Sequence, residues 1–422
     1  METCYAIDFG TSNSLLGAVN PEQDFGQIPI GIEGEGIMKT ILYAAESHQW
    51  FFGSQAIDEY LQQPTHGRIF KSLKKFLPDQ SFQRTRVFQE VLTLPDLIAK
   101  FLRMMRERAN THLDQDVQRV MLGCPARFSD DPTSHELALD RLKAAAISAG
   151  FTEVSFCPEP IAAAYKFQPS LEKEQLVLIA DFGGGTSDFT VQKMSQQPFQ
   201  DKDVLAMTGL SVAGDKYDGA IMEHFVAPAF GSRAKYKRPT ASNVSHFPKG
   251  FIRKLTSPAD LIMMSKNSVL QNIRDAQRWL LDPDDEERLE NLVLLIEDRM
   301  AYALFREIEQ TKIELSDTAE GNFSFSYDPI DVRTQVTQDA FEDCSAKFTS
   351  EIIGCLDRCL IEAGLKSEQI DVVCLTGGTS QLPFIAKQLR TRFGDKLTTS
   401  SQFDSVVQGL GVRAQQWLRT GV

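Results

Sequence analysis

Ala6-Ile7-Asp8-Phe9-Gly10-Thr11-Ser12-Asn13-Ser14 and Ala180-Asp181-Phe182-Gly183-Gly184-Gly185-Thr186-Ser187-Asp188-Phe189 are two versions of one device. Each runs from an apolar strand through Asp-Phe-Gly into a turn of small residues and on into a second apolar stretch. That stretch is Leu15-Leu16-Gly17-Ala18-Val19 in the first copy and Thr190-Val191 in the second. Glycine lets the backbone approach a ligand closely, and successive turn amides form a concavity for anionic oxygens. The hydroxyls of Thr11, Ser12, Thr186 and Ser187 add donors. Asp8 and Asp181 would repel a phosphate, so they read as ligands, through water, of a hard cation such as Mg²⁺. Either segment alone is as well explained by a Gly-rich β-hairpin. Two copies in one chain report architecture: two similar lobes facing a shared polyphosphate.

The rest of the composition narrows the class. A chain of 422 residues exceeds one compact core, so two or three domains are expected. With 42% hydrophobic and 24% charged residues it has the balance of a soluble globular protein. A net charge of −13 argues against sequence-independent nucleic-acid binding. No apolar run is long enough to span a bilayer. The chain opens on a strand, Cys4 to Ile7, with no secretory signal pattern before it. The seven cysteines form no CxxC pair and read as buried thiols in a reducing cytoplasm. Cys355 and Cys359, four apart, can share a helix face.

Along the chain, strands and helices alternate through the first half. Val117 to Cys124 reads as a strand, Ser134 to Ala149 as a helix stopped by Gly150, and Thr152 to Cys157 as a strand broken by Pro158-Glu159-Pro160. A short helix from Ile161 to Phe167 follows, and polar residues 168–175 mark a lobe boundary before the strand Leu176 to Ala180. Residues 216–315 look mainly helical. Asp282 as N-cap and Pro283 at the first helical position, followed by Asp284-Asp285-Glu286-Glu287, start a long amphipathic helix toward Leu315. Ser232 to Pro239, with Arg233, Lys235, Lys237 and Arg238, reads as a solvated loop, with docking of an acidic partner as the alternative. Near the end, the strand Asp371 to Leu375, the turn Thr376-Gly377-Gly378-Thr379-Ser380 and the helix Leu382 to Arg392 put backbone amides at a helix N-terminus, suited to a phosphate or ribose.

Taken in order, DFGTSNS, PEPIAAAY, ADFGGGTSDF and LTGGTSQLP resemble the nucleotide-binding domain of the seventy-kilodalton heat-shock (DnaK-type) chaperones, within the actin/hexokinase ATPase superfamily. The resemblance covers nearly the whole chain. It implies an α/β, two-lobed actin-like fold of duplicated ribonuclease H-like lobes, each with a smaller subdomain. Lobe I would span 1–173 with an insertion near 36–110, and lobe II 174–422 with a mainly helical insertion near 216–305. It further implies ATP or ADP with Mg²⁺ as the ligands. Asp8, Glu159 and Asp181 would ring the metal through waters. Gly10, Thr11, Ser12 and Asn13 would lie on the phosphates from one lobe, and Gly183, Gly184, Gly185 and Thr186 from the other. Asp188 would orient the attacking water or a K⁺ ion. Gly377, Gly378 and Thr379 would border the ribose and adenine, and Pro125 matches a proline that relays nucleotide state. A lysine near the γ-phosphate is expected in Lys74-Lys75-Phe76-Leu77-Pro78, with Lys74 the candidate and Lys71 the runner-up. The catalytic set is then Lys74, Glu159, Asp181 and Thr186.

Two departures stand out. The family's adenosine helix, Glu-x-x-Lys-Arg-x-Leu-Ser, survives as Glu309, Lys312, Leu315 and Ser316, but its arginine is Ile313. A second arginine, after the Gly-Gly turn, is Gln381. Both contribute to stacking on the base, at about 0.5–2 kcal/mol each, so weaker or less base-selective binding is expected. The sequence also ends soon after Gln408-Gly409-Leu410-Gly411, with no linker, β-sandwich or lid, so no peptide-binding domain is expected.

The expected activity is therefore slow Mg-dependent ATP hydrolysis by in-line attack of water, coupled to a conformational switch and read by a protein partner. The alternatives are a nucleotide-binding interaction module with little turnover, a small-molecule kinase and an actin-like filament protein. Nucleic acid and membrane are not expected partners.

Overall fold

The computed structural model describes residues 2–420 apart from 32–33, 47, 63–66, 130, 168–172, 196–200, 240–241, 258–266 and 400–404. The expected boundary at 168–175 lies mostly outside the described residues. Two compact units divide the chain. One is Met1–Tyr60, Gly67–Gly214 and Glu351–Val422; the other is Leu61–His66 and Asp215–Ser350.

The first unit holds two sheets of the same construction. In one, β1 (Cys4–Phe9), β2 (Asn13–Val19) and β3 (Asp24–Gln27) form an antiparallel meander. On the other side of β1, β4 (Arg119–Cys124) and β5 (Glu153–Pro158) add in parallel. In the second sheet, β6 (Gln175–Phe182), β7 (Ser187–Met194) and β8 (Val204–Leu210) repeat the meander. There β9 (Val372–Thr376) and β10 (Leu397–Thr399) repeat the parallel pair. In both, the spatial order is third, second, first, fourth, fifth. A short strand, Met38–Lys39, also pairs with β2.

The helices duplicate as well. Parallel neighbours need crossovers. Here α1 (Leu94–Leu113) precedes β4, α2 (Pro132–Ser148) joins β4 to β5, and α3 (Glu159–Phe167) follows β5. In the second half the corresponding helices are α5 (Gln338–Glu362), α6 (Pro383–Phe393) and α7 (Ser405–Thr420), with α4 (Ala301–Asp317) lying earlier in the chain. The two closing helices, α3 and α7, pack on each other: a Cβ on Gly409 would fall 1.6 Å from the Ala162 carbonyl oxygen, so only glycine admits this approach. Around them one apolar cluster joins Ala6 and Met121 of the first sheet to Val177, Ile179 and Cys374 of the second, with Ile161, Ala162, Val407 and Leu410 between. A second cluster buries the outer face of the first sheet under α1 and α2. This mixed α/β architecture is the one the sequence predicts.

Several boundaries differ from the sequence reading. Helix α2 starts at Pro132 because Asp131 caps it, accepting from the Ser134 amide at 2.9 Å. Strand β5 continues into Pro158, and α3 begins at Glu159, placing Pro160 in the first turn, where a missing N–H costs nothing. Strand β6 continues through Asp181 and Phe182, because these pair with Asp188 and Ser187.

The second unit is largely helical. The long helix expected from Asp282 to Leu315 is two helices, Asp284–Glu297 and α4. Arg299 adopts φ 56 between them, a left-handed conformation that stops the first helix. Asp282 still serves this start, its carboxylate accepting from the Asp284 amide at 3.1 Å. Ser232 to Pro239 is not all loop: Lys235–Tyr236 pairs with Ser245–His246. A two-stranded hairpin, Glu320–Tyr327 with Ile330–Thr337, packs on α4. Six of the seven cysteines are buried and Cys344 is half-buried, all as free thiols.

Candidate functional site

The two Asp-Phe-Gly hairpins have matching geometry. In β1–β2, Phe9 pairs with Ser14 and Asp8 with Leu15; in β6–β7, Phe182 pairs with Ser187 and Asp181 with Asp188. Both turns are therefore four residues long, Gly10–Asn13 and Gly183–Thr186. A Cβ on Gly10 would meet the Asn13 carbonyl oxygen at 2.1 Å, and one on Gly183 the Thr186 carbonyl oxygen at 3.2 Å. The same close approach recurs at the same position of each turn. The two differ where Leu15 in one copy stands as Asp188 in the other, so the second hairpin carries two acids across one rung.

Four acids and one lysine gather at these strand ends. Lys74 lies in the short 3₁₀ turn Leu73–Phe76 and is buried, with Nζ donating to Glu159 Oε1 at 2.5 Å. Burial, the largest influence, would lower the Lys74 ammonium; the attraction of Glu159 and then Asp8 outweighs it and holds the pKa above its usual value. Lys71, the alternative candidate, ends the strand Gly67–Lys71 and is half-buried. Glu159 opens α3 against the end of β4, where a Cβ on Gly123 would stand 3.3 Å from its Cγ. Burial raises Asp8 to about 8, helped by Glu159 and Asp181 and opposed by Lys74. Burial and then Glu159 raise Asp181 to about 6, while the Thr376 hydroxyl, donating to Asp181 Oδ1 at 2.6 Å, opposes the rise. Asp188 is raised well above the carboxylate range by burial and then Asp181, with hydrogen bonding from Thr186 opposing. Its Oδ1 has no hydrogen-bond partner among the described residues, and it presses on Gly209, where a Cβ would come within 2.4 Å.

This donor set fits a hydrated divalent cation. Buried acids in excess over lysine hold protons or a metal. Among the described residues no three His, Cys, Asp or Glu side chains converge to chelate an ion directly. Mg²⁺ does not require that, since it keeps several waters and takes one or two carboxylates beside phosphate oxygens. Asp8, Glu159 and Asp181 are the residues that would hold it.

The Gly-Gly turn after β9 joins the second hairpin. Gly377, at φ 80, lies so near Phe182 that a Cβ would be 2.0 Å from its carbonyl oxygen. Thr379 Oγ1 donates to the Gly183 carbonyl at 3.0 Å. Gly378 faces open space. Gly10, Thr11, Ser12, Asn13, Gly183, Gly184, Gly185 and Thr186 form the two turns. Thr11 abuts Gly185, and Ser12 anchors the first turn by accepting from the Thr40 amide at 2.9 Å.

Glu309, Lys312 and Ser316 belong to the second unit, on α4. There Lys312 Nζ pairs with Asp218 Oδ1 at 2.7 Å, and the Ser316 hydroxyl donates to the Lys312 carbonyl at 3.4 Å. Burial raises Asp218 to about 6, with Lys312 opposing. Ile313 is 50% exposed, and Gln381, in the first unit, is exposed.

Sequence reasoning missed Thr376, Gly209 and Asp218, each defined by a partner remote in the chain. Thr376 alone carried a local signal, as the last strand residue before a Gly-Gly turn.

Two sheets of the same duplicated topology, each opened by an equivalent Asp-Phe-Gly hairpin, define the class as an actin-like ATPase fold. The Hsp70 protein family matches residues 49–243 and 286–417, well over half of the chain. The chain belongs to the Hsp70 family. It is similar to the chaperone protein DnaK of Thermotoga neapolitana, at 23% identity over 430 residues, covering 100% of this chain and 60% of that protein. DnaK of Thermosipho melanesiensis is 23% identical over 98% of this chain and 59% of its own length. DnaK of Thermosipho africanus is 24% identical over 93% and 55%. The chain thus spans about 60% of the length of the first of these relatives. No helix among the described residues is long and apolar enough to cross a membrane.

Proposed function

We propose that this protein binds ATP and ADP with Mg²⁺ and hydrolyses ATP slowly, as a nucleotide-driven conformational switch of the chaperone-like kind, acting in the cytoplasm on a protein partner. The observation that carries the reading is the cluster of Asp8, Glu159, Asp181 and Asp188 around the buried Lys74, with Asp8, Asp181 and Asp188 on the strands that flank the two equivalent glycine turns. A buried acid excess is costly, and a phosphate–metal ligand gives it a purpose.

When bound, Mg²⁺ offsets phosphate and carboxylate charge. Asp8, Glu159 and Asp181 would hold the hydrated ion, the turn amides and the Thr11 and Thr186 hydroxyls would receive phosphate oxygens, and Lys74, its ammonium fixed by Glu159, would serve the γ-phosphate. Asp188, whose Oδ1 has no partner among the described residues, would orient the attacking water or a K⁺ ion. Gly377, Gly378 and Thr379 would border the ribose, and Glu309, Lys312 and Ser316, on α4 of the second unit, are the proposed adenosine contacts. The lobes are taken as 1–173 and 174–422, each with its inserted subdomain.

The test is phosphate release from ATP by the purified chain and by Asp181→Ala and Glu159→Ala. Turnover that collapses in both, with folding intact, supports the assignment; unchanged turnover in both sinks it. A nucleotide-binding module with little turnover is the second reading, favoured by Ile313 and Gln381 where base-stacking arginines are expected. Tight ATP binding without phosphate release selects it.

A further inference from the structure

Arg141, on α2, does not belong to any motif of the site, yet it organises the segment that carries Lys74. Its Nη1 donates to the carbonyls of Phe76 at 3.3 Å, Leu77 at 2.9 Å and Asp79 at 2.8 Å, and its Nη2 to that of Phe82 at 2.9 Å. One guanidinium therefore gathers four carbonyls from seven consecutive residues, Phe76 to Phe82. That stretch contains no regular element after the 3₁₀ turn Leu73–Phe76. It is a run of single turns, with Leu77 bonded back to Lys74 at 3.2 Å, Asp79 to Phe76 at 3.1 Å and Phe82 to Asp79 at 3.2 Å. Carbonyls of an irregular segment need partners from elsewhere. Arginine supplies several from one rigid plane, which a lysine cannot do.

The consequence reaches Lys74 through a short path. The turn holding Lys74 is entered through Ser72 at φ 58, a strained conformation for a residue with a side chain, so its surroundings must over-determine it. Behind it, Leu77 is fully buried and the Phe76 and Phe82 rings meet at 5.6 Å. Gln80 adds a contact from the same loop to α2, donating to Ser134 Oγ at 3.2 Å. At the front, the Lys74 ammonium ends on Glu159.

We propose that Arg141 is a positioning residue for the active centre: it pins the 76–82 segment to α2 and thereby holds the Lys74 ammonium on Glu159 in register for the γ-phosphate. The proposal rests on the reading of Lys74 as the phosphate-facing lysine, and its test separates the two.

Arg141→Gln and Arg141→Lys are compared with the unaltered chain in two ways. The first is brief acetylation with acetic anhydride followed by mass spectrometry of the peptide containing Lys74 and its exposed neighbour Lys75, an internal standard. In the unaltered chain Lys74 is protected relative to Lys75. In Arg141→Gln the Lys74/Lys75 ratio rises several-fold, and in Arg141→Lys it rises less. The second is ATP turnover: kcat falls about 10–100-fold in Arg141→Gln, the scale of a misplaced catalytic group, with KM for ATP changed less than threefold. A folded Arg141→Gln with Lys74 still protected and kcat unchanged overturns the proposal, even where its melting temperature falls, since that is a structural role alone. If Arg141→Gln does not fold, Arg141→Lys decides by the same readouts. If the unaltered chain shows no turnover, the functional reading fails, and the acetylation ratio still decides whether Arg141 positions Lys74.

Discussion

A Cβ built on Gly185 would stand 3.3 Å from the Thr11 hydroxyl oxygen, so the turn of the second hairpin lies directly against the turn of the first. Two equivalent turns 173 positions apart thus meet, the second residue of one, Thr11, against the third of the other, Gly185. The duplication seen in the sequence is a duplication of a surface, and its two copies share one space. Gly185→Ala requires Thr11 to shift by a few tenths of an ångström. It is expected to weaken ATP affinity while leaving the fold intact, which titration calorimetry and thermal scanning together measure.

The Gly-Gly turn offers a sharper comparison between adjacent residues. Gly377→Ala puts a methyl group 2.0 Å from the Phe182 carbonyl oxygen at a φ of 80. Overpacking alone costs about 1–3 kcal/mol, and the positive φ adds to it. Gly378→Ala meets nothing within 4 Å and should lie within about 0.5 kcal/mol of the unaltered chain. Urea unfolding of the two variants checks this; equal stabilities would contradict the geometry.

The Lys74–Glu159 pair is 2.5 Å long and buried at both ends. Removing one partner of a buried pair leaves an uncompensated charge and costs about 3–5 kcal/mol. Lys74→Met alone and Glu159→Leu alone should therefore both lose stability. The double variant should recover part of it, because neither member of the pair is left without the other, although Asp8, Asp181 and Asp188 lose the Lys74 charge, and should show no phosphate release. A double variant less stable than either single one would mean that the pair is not the source of the loss.

How much of this was legible in the sequence depended on how local the cause is. The hairpins around Asp8 and Asp181 could be read because strand, glycine turn and strand lie within about a dozen residues, and their recurrence singled them out. The break at Arg299 could not, since no Gly or Pro marks it. Strand β6 ends two residues later than its apolar run suggests, because Asp181 and Phe182 are held by cross-strand partners rather than by their own preference. Arg141 on the 76–82 carbonyls and Thr376 on Asp181 join segments about 60 and 195 positions apart. No spacing rule connects such residues.

Base recognition gives a gain-of-function test. Ile313 is 50% exposed and Gln381 is exposed, so an arginine at either position has room for its long side chain. Under the proposed function, Ile313→Arg and Gln381→Arg should each tighten ATP binding by about 0.5–2 kcal/mol through stacking, with little change for the triphosphate alone. Calorimetric titration with ATP, GTP and tripolyphosphate distinguishes base contacts from phosphate contacts. Equal gains for all three would place the effect in charge rather than in stacking.

The buried carboxylates also predict how stability responds to pH when metal and nucleotide are withheld. Asp8 is raised from 3.8 to about 8, and Asp181 from 3.8 to about 6, burial being the first cause in both. Between 3.8 and those values the folded chain keeps a proton that the unfolded chain has released. The unfolded state then binds fewer protons, so folding free energy declines as pH rises through that window. The contribution is absent below about pH 4 and complete above about pH 8 for Asp8 and pH 6 for Asp181. Asp8→Asn and Asp181→Asn remove the charge that causes the loss. In chelator, each should match the unaltered chain below about pH 4 and exceed it at pH 8, by roughly 1 °C per kcal/mol relieved. Adding Mg²⁺ and ADP should reverse the order, because a ligand that binds only the folded state stabilises it, and the asparagine variants lose part of that ligand's site. Asparagine variants that melt lower than the unaltered chain at both pH values would show that these carboxylates are structural supports instead of a site held ready for a cation.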